Sequence, residues 1–88
     1  MFGRYNLLTT EQAALFGIGG NERYIIIRPE DFIISANSEN GVRGIVQNIS
    51  FWGSFYEVEI RLDELKIIVK IVKNGWRIGQ EVYVNWKS

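Results

Sequence analysis

The sequence predicts an all-β domain, a small antiparallel barrel of about five strands over residues 21–88 behind a short helical leader over residues 1–20. Three observations carry that reading. From Tyr24 onward apolar residues recur with a period of two, the repeat of a strand whose faces alternate. β-Branched and aromatic residues dominate from Tyr24 to Val72, and no run there offers the i, i+3, i+4 apolar stripe of a helix. The runs are short, spaced by about ten residues, and separated by Gly, Asn, Asp and Ser, which suits a meander that closes on itself and so hides its edges.

The leader, MFGRYNLLTTEQAALFGIGG, holds the one convincing helical signal: Thr10 as N-cap, Glu11 and Gln12 in the first turn, then Ala13, Ala14 and Leu15, ended by Gly17. At about two turns it is marginal alone. Five strand runs follow: Arg23–Arg28, Val42–Phe51, Ser54–Leu62, Lys66–Val72 and Gln80–Trp86. In the third, Tyr56, Val58, Ile60 and Leu62 point to the core and Phe55, Glu57, Glu59 and Arg61 to water. Ile67, Val69 and Ile71 face inward in the fourth, and Val82, Val84 and Trp86 in the fifth. The second keeps no single phase: Ile45 and Ile49 share parity, Val46 does not, and Gly44 weakens the run, so a bulge or sharp coil is expected there. Tight connections are expected at Trp52-Gly53, Asp63-Glu64 and Asn74-Gly75.

Length and composition bound the function. An 88-residue chain makes one small domain, hiding roughly 60–65% of its unfolded surface, too little for a deep enzyme pocket. Hydrophobic residues are 47% and charged residues 23%, the composition of a folded domain with a real core. Lys plus Arg and Asp plus Glu both number 10, so the chain lacks the overall charge that draws a protein to a phosphate backbone or an anionic membrane. Cys and His are absent, which excludes thiolate or imidazole metal sites, a His-dependent triad and disulfides. No apolar run approaches the ~20 residues that span a bilayer and no secretion signal opens the chain, so it reads as cytosolic.

The segment IIIRPEDFIIS interrupts two β-forming runs with a proline and two acids. Pro29 cannot donate to a ladder and fixes φ, so it ends a strand and starts a turn with Glu30 and Asp31 near its positive end. Arg28 is expected to pair with a nearby acid, as arginine does bidentately. No nucleophile, metal set or phosphate loop accompanies these acids, so the sequence offers no catalytic, cofactor-binding or metal-binding residues.

YIIIRPEDFIIS, NGVRGIVQNISFWGSFYEVEI and NGWRIGQEVYVNW, in that order and spacing, resemble the C-terminal TOBE domain of bacterial ABC-importer ATP-binding subunits, in the group serving polyamines, iron and sugars. The matching positions are Arg28, Pro29 and Glu30, then Gly44 and Val46, then Phe51 and Gly53, then Gly79 and Val82. The leader FGRYNLL resembles the segment that follows the ATPase domain in such subunits. The resemblance implies an OB-like barrel serving as an accessory, regulatory module in solute import. It implies contacts with the ATPase domain of the same subunit and a second copy of itself, indirect contact with the transporter's membrane subunits, and a place at the inner face of the cell membrane. ATP and Mg are expected only in the parent ATPase domain, because no G-x-x-x-x-G-K-[ST] segment occurs here and Gly17-Ile18-Gly19-Gly20 has no strand before it and no Lys after it.

Two other uses of such a barrel stay open. In some relatives paired barrels bind a small oxyanion, for which Ser50, Ser54, Arg28 and Lys70 are available, although the bulky Phe51-Trp52 pair suits an apolar contact better. A single-stranded nucleic-acid binder would use Tyr24, Phe51, Trp52, Phe55, Trp76 and Tyr83 as stacking platforms, against which stand the zero net charge and the acids Glu57 and Glu59 beside Phe55. An aromatic cluster without a basic frame fits a protein interface, and no nucleic-acid partner is expected. The candidate structural and interface residues are Arg28, Pro29, Glu30, Phe51, Trp52 and Gly53.

Overall fold

A computed structural model describes residues 5–20, 22–36, 41–63 and 65–87. The strands are β1 (Asn6–Thr9), β2 (Tyr24–Ile27), β3 (Phe32–Ser35), β4 (Val42–Phe51), β5 (Tyr56–Leu62), β6 (Leu65–Ile71) and β7 (Glu81–Trp86); α1 is Thr10–Ala14 and a 3₁₀ turn spans Pro29–Asp31. β1 and β2 make a separate antiparallel ribbon, and the rest form a five-stranded sheet in the order β3-β7-β4-β5-β6. The fold is all-β with a short helix, as expected, and compatible with a small OB-like barrel. One core joins the two sheets, with Leu8, Ala13, Ile18 and Ile27 packed into the same buried cluster as Val46, Val58, Ile60, Ile67, Val69, Val82 and Val84.

Two strands lie outside the five runs read from the sequence: β1 falls in a leader whose sequence signal is helical, and β3 is the second β-forming run of IIIRPEDFIIS, beyond the proline turn. α1 starts one residue earlier than expected: Thr9 is the N-cap, its hydroxyl accepting from the Gln12 N–H at 3.2 Å while the Thr9 N–H donates to Gln12 Oε1 at 2.9 Å. The Thr10 hydroxyl is turned instead to the Glu22 carbonyl. Gly17 ends the helical turns as expected. At φ +77° it lets its own N–H reach the Ala14 carbonyl (3.0 Å) and the Ile18 N–H reach Ala13 (3.1 Å), which tucks Ile18 into the core.

β4, β5 and β6 form the expected meander with the expected core face. β7 departs from it, returning to lie between β3 and β4 rather than beside β6. Asn74-Gly75 is therefore part of a crossing loop, not a hairpin, and its last turn is fixed by Gly79 at φ +90°, whose N–H bonds the Val46 carbonyl at 2.7 Å. At the β5–β6 turn Asp63 stands at φ +60°, while Glu64 lies outside the described residues.

β4 carries the predicted bulge. Val46 pairs with Ile60 but Asn48 with Glu59, so Gln47 is the extra residue and the core phase passes from Val46 to Ile49. Two residues earlier Gly44 is buried opposite Val82, and a Cβ there would stand 2.3 Å from Leu62 Cδ2, 2.6 Å from Ile60 Cγ2 and 3.0 Å from the Arg61 carbonyl oxygen. Ile60 and Leu62 are themselves buried and have no room to swing away. Gly44→Ala is expected to destabilise the domain by about 1–3 kcal/mol in urea unfolding, whereas Gly75→Ala, where a Cβ meets nothing within 4 Å, should stay within about 0.5 kcal/mol of wild type.

Candidate protein interface

The R-P-E segment works as the joint between the two sheets. Arg28 is extended (φ −73°, ψ 147°), as a residue before proline must be, and Pro29 occupies the first position of the 3₁₀ turn, where a missing N–H costs nothing. The Asp31 N–H closes the turn on the Arg28 carbonyl at 3.0 Å, and the Asp31 carbonyl accepts from the Lys87 N–H at 2.7 Å, feeding the chain into the β3–β7 ladder. Pro29 is buried, and Glu30 and Arg28 are exposed. The expected pairing of Arg28 with an acid is not found among the described residues; the ion pair on this sheet is Arg43–Glu81 at 2.7 Å. Arg28 continues the exposed phase of Tyr24 and Ile26 just past the end of β2.

The β4–β5 hairpin brings the second group together. Gly53 takes φ +93° and the Trp52 N–H bonds the Phe55 carbonyl at 2.9 Å, a tight connection as expected. Both Phe51 (63% exposed) and Trp52 (50%) project into solvent. The Phe51 ring leans on Tyr56 at 4.8 Å, and Lys70 Nζ lies 4.3 Å from the Phe55 ring centroid, so a cation covers the aromatic edge from β6. Val72, just past the Ile71 that pairs with Tyr56, is exposed and extends the patch. Glu57, assigned to the wet face, is buried there, because β5 is flanked on both sides and Glu57 sits between its rung partners Ser50 and Lys70.

The other candidate groups do not converge. A carboxylate stands between Ser50 and Lys70, while Arg28 belongs to the ribbon's end. Of the aromatics, Tyr24 lies on the ribbon, Trp76 packs on the core, and the Tyr83 hydroxyl donates to Glu81 at 3.3 Å. An open groove of about 450 Å³ runs along Leu15, Ile45, Arg43 and Arg61, but Arg43 is paired with Glu81 and the Arg61 Nε donates to the Asp63 carbonyl at 3.0 Å. Among the described residues no cluster of His, Cys, Asp or Glu could hold a metal ion, and no helix is long and apolar enough to cross a membrane.

A second apolar surface was missed from sequence. Tyr5, Leu7, Tyr24 and Ile26 all lie on the outer face of the β1–β2 ribbon, more than half exposed, while Asn6, Leu8 and Ile27 are buried beneath. Its signal was present in Tyr24–Ile27, where residues of both phases are apolar, a pattern that belongs to strands covered on both sides.

The joint, the hairpin and the Gly79 turn stand at the positions on which the resemblance rested. Residues 25–88 match the TOBE domain family. The chain belongs to that family. This TOBE domain is also 28% identical over 80 residues to the spermidine/putrescine import ATP-binding protein PotA of Ureaplasma parvum serovar 3. The alignment takes in 90% of this chain and 15% of that protein, so the TOBE chain spans a small part of the relative's length.

An exposed Arg28 with no ionic partner among the described residues is expected to contribute little to folding. Arg28→Ala is expected to shift the unfolding free energy by less than about 0.5 kcal/mol, against about 1–3 kcal/mol for the buried Val58→Ala. A loss at Arg28 as large as that at Val58 in parallel urea titrations would return it to a structural role.

Proposed function

We propose that this TOBE domain is the accessory, C-terminal part of an ABC importer's ATP-binding subunit, acting in the cytoplasm at the inner face of the membrane. It modulates turnover through contacts with the ATPase domain of its own subunit and with a second copy of itself, and touches the membrane subunits only indirectly. The observation that carries this reading is the family match over residues 25–88 together with the likeness to an import ATP-binding protein of which the chain covers 15%. ATP and Mg belong to the ATPase domain in this reading, since the chain has no phosphate-cradling motif.

The Phe51–Trp52–Gly53 hairpin is the contact surface we assign. Two large aromatics held in solvent by a tight turn lose little conformational entropy on docking and gain apolar burial, the properties of an interface anchor. Sedimentation of the isolated chain, alone and mixed with the ATPase domain, should show association for wild type that weakens about tenfold or more for Trp52→Ala. An unchanged mass distribution in both settings sets the hairpin role aside.

The accessory assignment has its own check. Calorimetry of the isolated chain with millimolar ATP and Mg should show no saturable heat, and saturable binding would overturn the reading. Oligonucleotide titrations should likewise show no affinity that falls steeply with salt, as counterion release would demand of a backbone-tracking groove.

A further inference from the structure

The β1–β2 ribbon shares no ladder with the five-stranded sheet. The described polar tie between them is one side chain. Asn6, 4% exposed, donates from Nδ2 to the Ile68 carbonyl at 2.7 Å and accepts at Oδ1 from the Ile68 N–H at 2.6 Å. Ile68 lies on β6, the edge strand of the sheet. In an antiparallel ladder alternate residues turn both backbone groups to the same side, so Lys66, Ile68 and Lys70 direct theirs away from β5, toward the open edge. The Asn6 carboxamide, with one donor and one acceptor in the spacing of a peptide group, takes the place of a missing strand at the middle of those three. The lysines on either side discourage any other strand from adding there.

We propose that Asn6 is a latch: it fastens the β1–β2 ribbon, as a strap, over the open edge of β6, and the strap opens as a unit while the five-stranded sheet stays folded. The placement supports independent opening. The ribbon's backbone bonds are internal to it, its outer face is apolar and solvent-facing, and among the described residues no ladder ties it to the sheet; it is held by the Asn6–Ile68 pair and by the packing of Leu8 and Ile27 into the common core. Opening bares the Ile68 backbone and the core face beneath Leu8 and Ile27. The inference rests on the chain's own geometry and stands or falls separately from the importer reading.

Amide hydrogen exchange on the 88-residue chain tests it. In wild type the Ile68 amide should be protected although it points off an edge strand. Asn6→Ala should lower protection of Ile68 and of the β1–β2 ladder amides on the order of 10- to 100-fold, the loss of two buried hydrogen bonds, and leave the β4–β5 amides unchanged. Asn6→Asp supplies the control for a merely weaker fold. Its carboxylate lacks the donor that the Ile68 carbonyl needs, whereas its neutral carboxyl has one donor and one acceptor like the amide. Burial and the bonds made by the neutral form both raise the carboxyl's pKa in the closed strap, so protection of the strap in that variant should rise as pH falls from above the free carboxylate value and level off once pH is below it. Equal loss across both sheets in Asn6→Ala, an Ile68 amide indifferent to the substitution, or no recovery in acid for Asn6→Asp would each overturn the latch. Should Asn6→Ala fail to fold, the acid recovery of Asn6→Asp decides alone.

Discussion

The sheet depends on the crowding at Gly44. β4 is shared by two partners, β7 along Val42–Ile45 and β5 along Ile45–Phe51, and it must change direction between them. A strand with a full set of side chains cannot bend there, because Leu62 and Ile60 already fill the space over Gly44. Removing the side chain lets β5 close on β4, and inserting Gln47 resets the phase so that Ile49 packs inward as Val46 did. The bulge leaves Val46 able to bond outward, and the Gly79–Gln80 turn takes both of its backbone groups. One missing Cβ and one extra residue therefore settle the curvature of the sheet and the docking of β7.

The two sheets meet through local chemistry at one end and long-range chemistry at the other. Pro29 converts the end of the ribbon into the start of β3 within a single 3₁₀ turn, a device that needs only the residues Arg28 to Phe32. Asn6 completes the other side by binding a residue 62 positions away. Between them Leu8, Ala13, Ile18 and Ile27 cover the core face that a five-stranded sheet of this size would otherwise leave wet.

The apolar groups that the fold leaves exposed lie on open surfaces rather than in a cleft. The groove along Leu15, Ile45, Arg43 and Arg61 is open and its arginines are engaged within the chain, while the hairpin and the outer ribbon face present aromatic and aliphatic groups that the fold itself does not cover. That distribution suits a module that modulates a neighbour by contact.

By itself the sequence determined what depends on neighbours along the chain. The period-two runs placed β2 and β4 to β7 and the core faces of β5, β6 and β7, the broken phase at Gly44–Ile49 foretold the bulge, Pro29 foretold the turn, and Trp52-Gly53 foretold a tight connection. The motif order pointed to the TOBE family before any coordinates. Tertiary structure alone decided the rest. β1 lies in a segment whose helical signal stands out, β3 is a short β-forming run after a proline, and each is paired by a partner, β2 or β7, that sequence distance hides. The insertion of β7 between β3 and β4 is a choice among sheet edges that alternation does not encode, since every inward face is equally apolar. Arg28 stands exposed at the end of the ribbon, with no acid paired to it among the described residues. Asn6 reads as an ordinary polar residue in the leader, and only the approach of β1 to the β6 edge gives its carboxamide a peptide group to match.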